Sequence, residues 1–271
     1  MKVTTIRSTP EPERLACITA RGDYFDGFVD DVNYDELMEG VPTKEKHRAE
    51  AVADPDTYYD DTRMRDEPPE ESELTDEQLT VARTRSLLER LFRKGHFGPL
   101  EHPSITIAIK GISRVTMAQL TRHRHATFDV QSQRYVDFSS KEDPVVEPLS
   151  LVDPDHATRS GEVGLDEEQL ELYRAIFEST NNDAFEYYKE MVDEGIPKED
   201  ARFMLPVGTK VNMTLTVNAR TMLHIANLRE RANSQWEIRE LTNKIIDEEF
   251  ADWMPVTYEL WREHGPTQIS P

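Results

Sequence analysis

Arg122-His123-Arg124-His125-Ala126-Thr127-Phe128-Asp129-Val130-Gln131-Ser132-Gln133-Arg134-Tyr135 decides how the rest of the chain is read. Three adjacent side chains that are cationic, or become so on protonation, are followed after seven residues by Ser-x-Arg. Upstream, Gly111–His123 reads as a helix whose spacing puts Gln119, Arg122 and His123 at i, i+3 and i+4 on one face, so that an amide, a guanidinium and an imidazole point the same way. Downstream, Gln131–Phe138 has the composition of a strand, and in an extended chain Ser132 and Arg134 project to the same side. A hydroxyl donor beside a planar five-donor fork makes a phosphate cup. Two cationic clusters joined by a turn suit a ligand with phosphate at one end and a polar ring at the other. The plainer reading is an Arg-rich helix end that complements the C-terminal dipole. It covers Arg122–Arg124 but leaves the Ser-x-Arg unexplained.

The surroundings make this cluster conspicuous. Against 53 Asp and Glu the 271 residues carry 32 Lys and Arg, a formal net charge of -21. That balance argues against a nucleic-acid partner, because binding a phosphate backbone needs a positive surface that releases counterions. It matches a solvated surface working in concentrated salt, where self-repulsion is screened, and a halophilic origin is expected. No stretch approaches the roughly 20 apolar residues of a membrane span, and Met1–Arg7 lacks a signal-peptide core, so a cytoplasmic protein without a membrane partner is expected. With 37% hydrophobic residues the chain is long enough for a sizeable core in one domain. The single cysteine, Cys17, makes no intrachain disulfide and no metal site by itself.

Taken in order, Lys2–Ile6 and Leu15–Ala20 suggest two short strands around a Pro-containing turn, with Cys17 as a buried, inert thiol in the second. Residues 22–74 form an acidic, poorly periodic insertion whose plainest role is solvation. Thr75-Asp76-Glu77-Gln78 is a capping box opening a helix with Val81, Thr84, Leu88 and Leu91 as its apolar stripe, closed by Gly95. Pro103–Lys110 alternates, with Ile105, Ile107 and Ile109 on one face. An acidic connector over about 140–165 precedes a long amphipathic helix, Asp166–Glu194, whose Leu170, Tyr173, Phe177, Ala184, Tyr187 or Tyr188, and Met191 read as core. Val211–Val217 is a strand with Val211, Met213, Leu215 and Val217 inward. It leads into a helix for which Asn218 is placed as N-cap. Ile238, Leu241, Ile245 and Phe250 read as helix packing.

The pattern Arg122-His123-Arg124, seven residues, Ser132, one residue, Arg134 resembles the signature of the flavin-dependent thymidylate synthases, the ThyX family, at every fixed position. The similarity extends from about Leu87 to Tyr258 and includes Gly95-His96 with Glu101-His102, Glu199-x-x-Arg202 with Leu205-Pro206, and Asn233–Ile238. It implies a single α/β (mixed α+β) domain over 1–271, with an antiparallel sheet flanked by long helices, working as a homotetramer with sites shared between subunits. It implies conversion of dUMP to dTMP with 5,10-methylenetetrahydrofolate as carbon donor and NADPH-reduced FAD as reductant. By the resemblance, dUMP is bound by Gln119, Arg122, Gln131, Ser132, Gln133, Arg134, Arg202 and Arg229. FAD is held by His102, Ser104, Arg122, His123, Arg124, Asn218, Arg220 and His224. Arg229 is the catalytic group, stabilising negative charge on the pyrimidine.

Residue by residue, bland roles stand beside these: His96 as a turn residue, His102 as a structural histidine, Ser104 as a strand serine, Asn218 as a cap, Arg202 as an exposed helix end. Two positions depart from the family pattern. Val130 stands where an acidic or amide side chain is frequent, and Gln133 serves through its backbone if the family's use of that position holds. Cys17 has no activating neighbour in sequence, so a covalent cysteine step is not expected. Readings from other classes are a flavin-dependent NADPH oxidase without methyl transfer, a non-enzymatic nucleotide-binding protein, and an RNA-binding protein disfavoured by charge.

Overall fold

The structure is a computed structural model that describes residues 1–52, 68–153, 164–265 and 269. Its elements run β1 (Lys2–Ser8), α1 (Pro12–Gly22), α2 (Tyr34–Met38), α3 (Glu45–Val52), α4 (Asp76–Lys94), β2 (Ser104–Ser113), α5 (Arg114–Leu120), β3 (Ala126–Val130), α6 (Leu149–Val152), α7 (Glu167–Asp193), α8 (Lys198–Ala201), β4 (Lys210–Asn218), α9 (Ala219–Arg229), α10 (Trp236–Lys244), α11 (Ala251–Trp253) and α12 (Pro255–His264). They divide into two compact units: Met1–Arg7 with Ile105–Val217 and Ile225–Glu249, and Ser8–Ser104 with Asn218–His224 and Phe250–Pro271.

All but the end residues of the strands lie in the first unit, in a four-stranded sheet of order β1-β2-β4-β3. The expected alternation holds: Ile105, Ile107 and Ile109 of β2 and Val211, Met213, Leu215 and Val217 of β4 are buried. β3 runs antiparallel to β4, from Ala126 opposite Val217 to Val130 opposite Met213. Two boundaries differ from expectation. The helix read from Gly111 begins only at Arg114, because β2 continues to Ser113. Gly111 makes this continuation feasible with a φ of 75°, a left-handed turn within the strand that costs a residue bearing a Cβ roughly 1–2 kcal/mol. The strand read over Gln131–Phe138 lies instead upstream at Ala126–Val130, and Gln133–Tyr135 form a turn.

α7 starts as expected, with Asp166 and Gln169 making both bonds of a capping box. Its stripe does not. Only Leu170 and Tyr188 are buried, whereas Tyr173 and Tyr187 are about half exposed, as are Leu172 and Ile176. Tyr188 packs with Phe138 and Ala201, and Phe185, Met191 and Val192 of the same helix join them. The period was right for a helix, but its apolar face meets solvent over most of its length.

In the second unit Leu15–Ala20 belongs to α1 and not to a strand. Pro12 in the first turn is preorganised for a helix, and Ala16, Cys17 and Ala20, buried one and four apart, give it a helical inner face that a six-residue apolar run leaves ambiguous. The acidic insertion is less solvated than expected, for Tyr34, Leu37, Met38, Val41 and His47 are buried. Residues 53–67 of it, and 154–163 of the acidic connector, lie outside the described residues. α4 has both capping-box bonds at Thr75 and Gln78 and ends at Gly95 with φ 68°. Leu88 and Leu91 are buried as expected, but Val81 is exposed, and the inner face takes in Ala82, Ser86, Glu89 and Phe92 instead. The shift has a polar cause: Glu89, 3% exposed, is held inside by Lys44 and by His47 of α3. Ile238, Leu241, Ile245 and Phe250 are buried as read, the last two in a π-helical stretch, Ile245–Phe250.

Candidate active site

Ser113 caps α5 by accepting the Thr116 N–H at 3.1 Å, and the helix stops at Leu120 with the Thr121 N–H on the Met117 carbonyl. Arg122–His125 therefore leave the helix as turns, and Gln119, Arg122 and His123 do not share a helical face as the sequence suggested. The turn separates their fates. His123 is buried, while Arg122 and Arg124 are exposed.

Arg229, the last residue of α9, comes to the same place. Its Nε donates to His123 Nε2 at 3.0 Å and one Nη to the Gln119 carbonyl at 3.2 Å. The contact from Gln119 is thus its backbone oxygen. Because a guanidinium only donates, His123 Nε2 is an acceptor here and the ring proton lies on Nδ1. Burial, and then the charge of Arg122, push the Arg229 guanidinium below its ordinary pKa. Two cations brought together with partial desolvation are poised to gain from an anionic ligand. Among the described residues Arg122 and Arg124 make no ion pair, in a chain where acids outnumber bases 53 to 32.

The second cluster is also built by a turn. Ser132 Oγ accepts the Arg134 N–H at 3.2 Å and its carbonyl the Val136 N–H at 3.0 Å, so Ser132 and Arg134 are joined by local hydrogen bonding and not by strand alternation. Arg134 donates through Nε and Nη2 to one Glu199 oxygen at 2.8 and 2.7 Å, and Arg202 Nε to the Glu199 carbonyl at 2.9 Å. Glu199 thereby gathers two predicted phosphate ligands. Arg114 is a third cation, missed in the sequence: burial, and then the charge of Arg202, lower its pKa. Its position at the start of α5, just after the serine cap, was the available signal. Gln131 accepts from Lys141 Nζ at 3.0 Å, and Lys141 lies 3.6 Å from the Phe138 ring centroid. Gln133, expected to serve through its backbone, is 5% exposed, and its side-chain Nε2 has no hydrogen-bond partner among the described residues. A buried amide donor left open is costly unless a ligand takes it.

The other predicted residues gather in the second unit. The Ala219 N–H donates to the Pro103 carbonyl at 3.0 Å, and Arg220 pairs with Glu101, which ties the start of α9 to the His102–Ser104 turn. Asn218 Oδ1 accepts the Thr221 N–H at 2.8 Å, so the capping role is real. His102 and Ser104 are exposed and His224 half-buried. His224 and Arg229, five apart on one helix, fall in different units. Hydroxyl, amide, imidazole and guanidinium donors are the kinds that the ribose, ring and phosphate edges of a dinucleotide accept from.

Comparison with known proteins places the chain in a family. Residues 5–256 match the family model described as thymidylate synthase complementing protein. A flavin-dependent thymidylate synthase of Halobacterium salinarum is 40% identical over 100% of both chains. One of Haloarcula marismortui is 38% identical, covering 97% of this chain and 96% of that one. A crystal structure of a UMP/dUMP methylase, PolB from Streptomyces cacaoi, bound with 5-Br dUMP, covers 97% of this chain and 94% of its own at TM-score 0.67; at 21% identity that likeness shows the mixed α/β fold. With two cationic clusters in place and a family match running through both of them, the chain belongs to the thymidylate synthase complementing protein family, which is that of the flavin-dependent thymidylate synthases.

Proposed function

We propose that this protein makes dTMP from dUMP, with 5,10-methylenetetrahydrofolate as carbon donor and NADPH as reductant through FAD. The observation that carries it is the meeting of Arg229 with His123 and Gln119, which links the signature turn to the end of α9. FAD fits the donors each unit offers taken by itself: Arg122, His123 and Arg124 of the first suit a diphosphate, and His102, Ser104, Asn218, Arg220 and His224 of the second are donors of the kind a dinucleotide takes. When bound, FAD would supply the reducing equivalents drawn from NADPH.

The chain's own residues do the remainder. Ser132, Gln133, Arg134 and Arg202 take the dUMP phosphate, which displaces Arg134 from Glu199; Gln119, Arg122 and Gln131 orient the ring. Charge-assisted hydrogen bonds of this kind are worth about 1.5–3 kcal/mol each. Arg229 donates to the pyrimidine as negative charge develops on its N3/O4 edge, which makes C5 nucleophilic toward the methylene carbon. Cys17 takes no part: its thiol is buried and pushed up to about 12, so thiolate is scarce at neutral pH. Summed over the reaction, the methylene carbon and a hydride from NADPH become the new methyl group, C5 gives up its proton, the two folate nitrogens freed of the methylene take up one proton each, one of them from the medium, and tetrahydrofolate and NADP+ leave.

The family match spans both units, which supports treating 1–271 as one catalytic domain. The apolar residues of α7 left in solvent, Leu172, Tyr173, Ile176 and Tyr187, fall within about 100° of the helix circumference, a stripe as wide as a packed face needs. We assign it to contact between subunits of a homotetramer. Net charge and the two haloarchaeal relatives support a halophilic, cytoplasmic enzyme.

The test is tritium release from C5-labelled dUMP in concentrated KCl, omitting FAD, NADPH and methylenetetrahydrofolate in turn. Release with dTMP formation that needs all three is expected. NADPH oxidation without release from flavin-loaded protein would replace this reading with an oxidase, and dUMP binding without flavin with a binding protein.

A further inference from the structure

The segment Asn233–Ile238 resembles the family but has no part in the site so far, and within it stands a buried acid. Glu237 is 2% exposed and among the described residues makes no ion pair. Both of its oxygens are spent on one residue: Oε1 accepts the Ser113 N–H at 2.6 Å and Oε2 the Ser113 hydroxyl. Ser113, itself 3% exposed, passes the interaction on, because its Oγ accepts the Thr116 N–H that opens α5. Burying a carboxylate without a cation is costly. Ordinary helix packing does not call for it.

What the acid joins gives the reason. α5 carries Gln119 at its end and His123 just beyond, the two groups that receive Arg229. Glu237 is eight residues after Arg229, and the intervening chain is wound tightly: Ser234 Oγ donates to the Leu228 carbonyl at 3.1 Å, the Ser234 N–H to the Arg231 carbonyl at 2.9 Å, and Gln235 Oε1 accepts the N–H groups of Glu237 and Ile238 at 3.0 and 3.1 Å. The two chain segments are thus fastened twice, at Glu237 with Ser113 and at Arg229 with Gln119 and His123. These fastenings close a ring of short, stiff pieces, all within the first unit.

We propose that Glu237 is a positioning residue for Arg229: by holding Ser113 it fixes α5, and through α5 the acceptors that aim the guanidinium at the pyrimidine. The inference rests on the reading of Arg229 given above. Losing the clamp leaves Arg229 held by acceptors free to shift, and misplacement by about 1 Å costs on the order of 10²-fold in rate.

The test uses flavin-loaded full-length protein, with turnover expressed per bound FAD. Glu237→Ala is expected to lower kcat about 10²-fold while FAD content holds, and Glu237→Gln, which keeps one acceptor, to fall less. Ser113→Ala retains the backbone N–H bond and serves if Glu237→Ala does not fold; a loss between that of Glu237→Gln and wild type is expected. The decisive readout is dUMP affinity in a double-mutant cycle. Glu237→Ala should weaken binding in wild type and add no further loss to Arg229→Ala. Additive losses, or a lowered melting temperature with kcat per flavin unchanged in all three variants, would overturn the proposal. Wild-type turnover in Arg229→Ala would instead overturn the reading it rests on, and the proposal with it.

Discussion

Glu89→Gln should expose how much of the second unit's stability rests on one interior carboxylate. Glu89 accepts from Lys44 and from His47 Nε2 at 2.7 Å, with Lys46 Nζ at 4.0 Å and Arg93 at 3.8 Å; His47 Nδ1 lies 2.8 Å from Glu50, which Arg85 also approaches. Burial alone would push the Glu89 carboxyl up, but the bonds from Lys44 and His47, with the Lys46 charge, outweigh it and hold the group down from 4.5 to about 2. At 1.36 kcal/mol per pKa unit this is worth about 3 kcal/mol. Because the folded group titrates below the unfolded one, the contribution is fully present above pH 4.5 and drains away as pH falls toward 2. Chemical denaturation followed by circular dichroism from pH 7 downward, wild type against Glu89→Gln, should therefore show a gap of about 3 kcal/mol at pH 7 that closes in acid. At pH 7 the melting temperature should differ by roughly 10 °C, at 2–4 °C per kcal/mol for a chain of this size. Concentrated KCl screens exposed pairs such as Lys46–Glu263 but not a carboxylate 3% exposed, so the gap should survive salt. A gap that is the same at pH 3 as at pH 7 would refute the argument, since the lost stability would then owe nothing to the depressed titration.

Arg229→Ala is expected to keep FAD, bind dUMP weakly and lose about 10²–10³-fold in kcat, as for removal of an oxyanion donor; tritium release near the wild-type rate would refute the assignment. Arg134→Ala should raise the KM for dUMP about tenfold to a hundredfold with FAD content unchanged, which steady-state kinetics would show. Cys17→Ala should remain active because burial keeps the thiol protonated, and complete loss in a folded variant would overturn a mechanism without a cysteine nucleophile. Ile176→Asp on α7 should yield a smaller particle by light scattering, whereas an unchanged mass would place the subunit contact elsewhere.

Helix ends and strand faces were legible in the sequence where local chemistry sets them. The capping box of Thr75 with Gln78, the start of α7 at Asp166 and the alternation in β2 and β4 all read directly, since caps and pleats depend on near neighbours. The errors fall where the deciding partner is distant. Leu15–Ala20 carries too few residues to separate the helical from the strand period, and packing in the second unit settles it. The inner face of α4 turned because Glu89 finds Lys44 and His47, 45 and 42 residues away. The stripe of α7 had the right period, but only Leu170 and the end around Tyr188 and Met191 find cover among the described residues, while Tyr173 and Tyr187 meet solvent. At the site, residue identities came through the motif. The groupings came through turns that periodicity does not encode: His123 meets Arg229 across 106 residues and Arg134 meets Glu199 across 65.

The seven residues between Arg124 and Ser132 have a meaning that composition alone conceals. Five of them are β3, paired residue for residue with β4, and a strand of that length spans about 17 Å. Such a spacer is a ruler graduated in single residues. It neither stretches, because β4 sets its register, nor tolerates an added residue, because one step turns every later side chain to the opposite face of the sheet. The separation of His123 from Ser132 is therefore stored as a count of residues in one short strand. On the function proposed above, dUMP is measured against that count.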